Sequence, residues 1–221
     1  SIKSAEATFG KVIMFEDKIC DARYSKSCGG ITENFENVWE GDPVPYLISV
    51  EDVDSKGTAF CSPDIVPEES LKSFIGNVDE KGQYFLWTFE PTQDELIRSL
   101  KNKHKIEATE ILQLTPEKIG NSGRIIDLRI DYKDIQNNLK SIAIHTEYEI
   151  RNIMSPSFLF SSAFSVKKNE NGNFNLIGKG WGHGVGLCQI GALGRALNGQ
   201  STETILNHYY PVSKLKRIYS S

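Results

Sequence analysis

The 221-residue sequence has no apolar run near the ~18 residues that a bilayer-spanning helix needs; residues 84–89 and 158–164 come nearest and are far too short. A transmembrane helix is excluded. Basic residues are not in excess either: 25 Lys and Arg stand against 29 Asp and Glu, a formal charge of −4. Nucleic-acid affinity comes mainly from clustered cations that neutralise phosphates, so no nucleic-acid partner is expected. The start has no Met and no basic segment leading into an apolar one, so Ser1 reads as an artificial boundary or a mature terminus. Cysteine is sparse. Cys20, Cys28, Cys61 and Cys188 form no CxxC pair, which leaves thiols, one or two disulfides, and metal ligands all open. There are no internal repeats and no Pro/Ser linker, so residues 1–221 are expected to form a single domain. With 39% hydrophobic and 24% charged residues the chain is neither disordered nor of low complexity, and at this length roughly 70% of its surface can be buried.

Local patterns predict the elements. Residues 11–15 and 19–24 read as β-prone runs joined by a tight turn at 16–18. Residues 25–45, rich in Gly, Asn, Asp and Pro but carrying Phe35 and Trp39, read as a long structured loop, the type that tends to be functional. A strand is expected over 83–90. The capping-box spacing of Thr92 and Glu95 then opens a helix over 93–103 with Leu96, Ile97 and Leu100 inward. Ile126, Leu128, Ile130 and Tyr132 alternate with Asp127, Arg129 and Asp131, the clearest half-buried strand. Further strands are expected over 141–146, 162–166 and 174–178, and short helices over 147–153, from Leu187, and after Ser201. Strands follow one another without βαβ alternation, so the fold class expected is α+β with a largely antiparallel sheet and a few short helices.

Five of the 18 glycines occupy alternate positions from Gly178 to Gly186. Read as a strand, the segment puts all five on one face and Lys179, Trp181, His183, Val185 and Leu187 on the other. Each glycine weakens a strand, so five need a reason: close approach of another backbone or of a ligand. Phosphate loops do not fit, because neither GxGxxG nor GK[ST] is present. Cys188, at a helix start, reads as a nucleophile with His183, His145 or His208 as base, or as a small buried residue. His183 and Cys188 with Cys28 or Cys61 read as a metal set, although at no standard zinc spacing. The plain alternative for Trp181 and His183 is a satisfied core pair. Glu33, Glu36, Glu40 and Asp42 lie near Phe35, Trp39 and Tyr46, the mixture of carboxylates and aromatic faces that sugar sites use. Against this stands a solvated loop anchored by Trp39.

The segment GKGWGHGVGLCQIGA at 178–192, with ILNHYYP at 205–211, resembles the C-terminal signature of the stage II sporulation protein D family, also called the amidase-enhancer family. SCGGITENFENVW at 27–39, PVPYLISV at 43–50 and SGRII at 122–126 resemble further blocks of that family in the same order, as do Arg151 and residues 161–166. Ser25 and Cys28 stand where the family more often has His and Ser.

The resemblance implies an exported protein of the periplasm or cell envelope that acts on peptidoglycan glycan strands by lytic transglycosylation. The alternative it carries is a non-catalytic module that binds peptidoglycan or a cell-wall amidase. It implies substrate contacts from Trp39, Trp181, His183, Gln189, Gly182, Gly184 and Gly186. The family's catalytic Glu and a His/Cys metal stretch, where zinc would bind, lie upstream of the piece that residues 4–10 match. Neither is expected within 1–221, and no cofactor or metal is assigned to this chain's residues. The catalytic residue is left unassigned, with Glu33 the first to test.

Overall fold

The computed structural model describes residues 2–75 and 83–219. Helix α1 (Ile2–Ala7) is followed by strands β1 (Lys11–Phe15), β2 (Lys18–Ile19) and β3 (Tyr24–Ser25), then by helix α2 (Glu68–Ile75) and strand β4 (Leu86–Phe89). Next come α3 (Gln93–His104), β5 (Ala108–Ile119), β6 (Ile125–Asp134), β7 (Leu139–His145), α4 (Glu147–Met154), β8 (Phe164–Lys168) and β9 (Phe174–Lys179). The chain closes with β10 (Leu187–Cys188), α5 (Gln189–Leu197), α6 (Thr202–Tyr209) and β11 (Lys214–Arg217). The fold is α+β, and among the described strands only the short β3–β10 pair is parallel.

Helix α3 starts where the capping box predicts. Thr92 Oγ1 accepts from the Glu95 backbone N–H at 3.2 Å, and the Glu95 carboxylate accepts from the Thr92 N–H at 2.9 Å. It buries Leu96 and Leu100, with Ile97 half-buried beside them. Strand β6 lies between β5 and β7 and turns Leu128 and Ile130 inward. That sheet, the β4–β9–β8 sheet, α3 and α4 share one apolar core through Trp87, Ile111, Leu128, Ile144, Ile150, Phe174 and Leu176. A second core gathers Leu47, Val66, Val185, Ile190, Ile205 and Tyr209 beneath the long loop, α5 and α6.

Two expected features change. The hairpin forms across Glu16 and Asp17, both at positive φ (47° and 60°), yet its second strand stops at Ile19. Tyr24 and Ser25 instead pair with Leu187 and Cys188, while β11 takes the other edge of β1. Strand β5 escaped the pattern reading because register shifts at Ala108/Glu110, Ile111/Gln113 and Pro116/Lys118 break the two-residue alternation. The loop through residues 25–45 is ordered, with a single 3₁₀ turn at Phe35–Asn37, and it is bridged to the glycine segment at Ser27–Trp181 and Glu33–Val185.

Candidate functional site

Strand β9 ends at Lys179, and the glycine segment then departs from the extended strand expected of it. Gly180, Gly182, Gly184 and Gly186 have φ of 74°, 93°, 82° and 70°, while strand pairing resumes only at Leu187. A left-handed backbone every second residue costs an ordinary L-residue about 1–2 kcal/mol each time, and glycine removes that cost. The result is a zigzag ribbon whose peptide groups are used in both directions. Gly180 N–H donates to Phe85 O, Gly182 N–H to Phe160 O and Leu187 N–H to Arg23 O, while Gly184 O accepts from Glu33 N–H.

The space over the glycines is filled by the protein itself. A Cβ on Gly178 would overlap the Trp87 indole, one on Gly184 the Arg124 guanidinium, and one on Gly186 the Arg23 carbonyl. Over Gly182 lies Ser25, 3.2 Å from where a Cβ would stand. Of the two reasons for bare glycine, close approach of the chain's own groups is the one visible here.

Arg124 is the wedge between ribbon and loop. Fully buried, it donates from Nε and Nη2 to Gly182 O at 3.1 and 3.0 Å, and from Nη1 to Cys28 O at 3.3 Å and Ser122 Oγ at 3.0 Å. The Ser122 hydroxyl in turn donates to Glu33 at 2.5 Å. The Glu33 carboxylate also accepts from the backbone N–H groups of Asn34, Asn121 and Ser122 and from the Asn37 amide, at 2.8–3.1 Å. Neither of its oxygens reaches solvent.

Of the side chains alternating with the glycines, Val185 is buried in the second core, while Trp181 and His183 make aromatic contacts. Trp181 packs between Tyr84 and Phe160, with ring centroids 5.1 and 4.6 Å away. His183 meets Trp39 edge to face at 4.8 Å, and Trp39 is flanked by Phe35 at 5.3 Å and by the Arg23 guanidinium at 4.3 Å. Trp39, Trp181, His183 and Gln189 are all half-buried. Glu36, Glu40 and Asp42 are exposed on the same loop. Burial, reinforced by the charges of Arg124, Arg151 and Arg23, lowers the His183 pKa to about 4. The ring is therefore neutral near pH 7. Its Nδ1 accepts from Val185 N–H at 3.1 Å, which puts the proton on Nε2.

The cysteines sort differently from the metal set read in the sequence. Cys28, Cys61 and Cys188 converge, but Asp52 rather than His183 completes the group, with one ligand atom from each lying within 4.8 Å of the others. Burial pushes the Cys188 thiol well up, and Cys188 is fully buried, neither of which suits a nucleophile. The three histidines considered as its base have other partners: His183 as above, His145 with Asp127 at 2.8 Å, and His208 with Arg195 at 2.7 Å. Asp52, Arg124 and Arg195 were missed in the sequence. For Arg124 the SGRII block was the available signal; for Asp52 and Arg195 there was none.

Against known proteins, the family described as "Domain of unknown function (DUF8618)" matches residues 33–186, well over half of the chain. The chain is 28% identical to the amidase enhancer of Bacillus subtilis and 27% identical to the stage II sporulation protein D of Bacillus amyloliquefaciens. These matches cover 96% and 92% of the chain. The chain belongs to the DUF8618 family and, with these relatives, to the stage II sporulation protein D and amidase-enhancer family. An uncharacterized protein of Brachyspira hyodysenteriae is 30% identical over 94% of the chain. The chain spans 46%, 32% and 47% of the Brachyspira protein, the amidase enhancer and the sporulation protein. Within the family's glycine signature, the structure shows each glycine meeting a specific neighbour: Trp87, Ser27, Ser25, Arg124 and Arg23 in turn.

Proposed function

We propose that this chain is the glycan-binding part of a cell-envelope protein that acts on peptidoglycan. The observation that carries the reading is the half-buried Trp39 held edge to face against a neutral His183, with the exposed carboxylates of Glu36, Glu40 and Asp42 on the same loop. In this reading the part of the Trp39 indole left uncovered by Phe35, Arg23 and His183 meets sugar C–H groups, and imidazole and carboxylates satisfy hydroxyls. The half-buried Trp181 and Gln189 in this reading add further contacts to the glycan, and the ribbon through Gly182, Gly184 and Gly186 holds His183 in place. Glu33, with every donor around it supplied by the protein, serves in this reading to anchor the loop that carries Trp39.

For the full-length parent the proposed reaction is lytic transglycosylation. A carboxylic acid protonates the glycosidic oxygen as the C1–O bond breaks; the resulting carboxylate then takes the proton of the sugar's own 6-hydroxyl, whose oxygen closes on C1 to give the anhydro product without water. That carboxyl group needs a raised pKa and contact with the scissile bond. In this reading it comes from a parent segment N-terminal to the matched region, and the present residues hold the strand.

The test is sedimentation of the chain with purified sacculi. Saturable binding weakened by Trp39→Ala and by His183→Ala is expected, and absence of binding overturns the reading. For the parent, anhydromuramoyl products from stem-free glycan are the expected readout. The name of the Bacillus subtilis relative favours a second reading, in which the chain engages a cell-wall amidase. A raised amidase rate on adding the chain, with no sacculus binding, would select it.

A further inference from the structure

We propose that Cys28, Cys61, Cys188 and Asp52 bind a single divalent metal ion of the zinc class in a closed, four-coordinate structural site. The inference does not depend on the glycan reading and involves none of the residues assigned there.

The distances fit one ion. Cys28 Sγ lies 3.8 Å from Cys61 Sγ and 3.4 Å from Asp52 Oδ2. Around a tetrahedral zinc with bonds of about 2.3 Å to sulfur and about 2.0–2.2 Å to oxygen, the S–S and S–O edges are about 3.8 and about 3.5 Å. An iron–sulfur cluster places several irons and sulfides between its cysteines and needs a wider cage. A disulfide needs sulfurs about 2.05 Å apart, and any one pairing would leave the third thiol and a buried carboxylate behind.

The surroundings are those of ligands already oriented. Cys28 N–H and Gly191 N–H both donate to Cys188 Sγ at 3.2 Å, as backbone amides do toward a thiolate. Asp52 is held through Oδ1 by Arg195 Nε and through Oδ2 by the Tyr209 hydroxyl, each at 2.8 Å. Arg195 is itself fixed over the Phe60 ring at 4.3 Å. Such outer partners set ligand orientation and basicity in metal sites. Gly191 belongs to the same design, because a Cβ there would overlap Asp52 Oδ2 and the Tyr209 hydroxyl.

Burial and charge complete the case. All four residues are essentially inaccessible. Four deprotonated ligands sum to −4; a divalent ion and Arg195 reduce that to −1. With four buried protein ligands filling its coordination, the ion would have a structural role. It would tie the loop at Cys28, the segment through Asp52 and Cys61, and the start of α5 into the second core.

The experiment uses the whole chain, purified without chelator and supplemented with zinc. About one zinc per chain is expected by elemental analysis, with Cys28, Cys61 and Cys188 protected from alkylation until a chelator removes the ion and lowers the thermal midpoint. Cobalt substituted for zinc should show tetrahedral thiolate bands, and Cys20→Ser should leave the stoichiometry unchanged. Cys61→Ser or Asp52→Asn should weaken zinc retention at least tenfold; where one fails to fold, the wild-type measurements still decide. A folded wild-type chain that takes up no zinc, or a disulfide among the three cysteines in its mass spectrum, would overturn the proposal.

Discussion

The guanidinium of Arg124 lies over Gly184 on the side where any other residue would carry its Cβ. Arg124 is locked there by two ribbon-directed bonds to Gly182 O and one to Cys28 O, so it has no room to retreat. The glycine is thus required twice, once for its φ of 82° and once for the space.

Gly184→Ala should cost about 2–5 kcal/mol, combining left-handed strain with overpacking. For a chain of this size that lowers the thermal midpoint by roughly 5–20 °C. Gly172→Ala is the control. Its φ of 85° carries the same strain, but no neighbouring atom lies within 4 Å of a Cβ there, so about 1–2 kcal/mol is expected. Equal midpoints for the two variants would remove Arg124 from the explanation.

Glu33→Gln tests the anchor. Both carboxylate oxygens face donors, so either orientation of the new amide sets its NH₂ against an N–H or a hydroxyl. A loss of about 1–3 kcal/mol is expected from the unsatisfied group. Hydrogen exchange at the Asn34 and Ser122 amides should quicken. Unchanged stability would show that the carboxylate does not hold the loop.

His183 contributes to the pH dependence of stability, as does His208, whose pKa burial and Arg195 also lower to about 4. The folded pKa of His183, about 4, lies below the ordinary 6.5, so the unfolded chain takes up the proton first as pH falls. The stability tied to a neutral His183 is complete above about pH 6.5 and is lost as pH drops toward 4. The cause is first the burial of the ring and then the Arg124, Arg151 and Arg23 cations. His183→Gln should therefore show a shallower fall in thermal midpoint over that window. Parallel curves for variant and wild type would refute the assignment.

Trp39→Ala should weaken binding to sacculi about tenfold or more, the scale of losing one aromatic anchor. Thr92→Ala separates binding from stability: removing the α3 cap should cost about 1 kcal/mol and leave sacculus affinity unchanged. If both variants lose affinity in proportion to stability, Trp39 is a packing residue only.

What is local was legible in neighbouring residues alone. The capping box of α3, the alternation in β6, the helical spacing of α5 and the Ser201 cap of α6 depend on residues within a few positions of one another; α3, β6 and α6 form where expected, and α5 starts at Gln189, just after Leu187 and Cys188 pair in β10. The glycine signature and its companion blocks likewise sufficed to mark the family. Tertiary structure decided the rest, because the contacts concerned join distant segments. The alternating glycines read as a flat strand until their φ values and the intruding Trp87, Arg124 and Arg23 groups gave them another reason. Glu33 looks like a sugar-binding carboxylate beside Trp39, yet Ser122 and Asn121 reach it from across the fold and close both its oxygens. Cys28 and Cys188 are 160 residues apart, and no spacing rule could have shown that a backbone N–H of one meets the sulfur of the other, or that Asp52 completes their group. Periodicity reports which face of an element is apolar; only packing decides which polar groups of different elements share the same buried space.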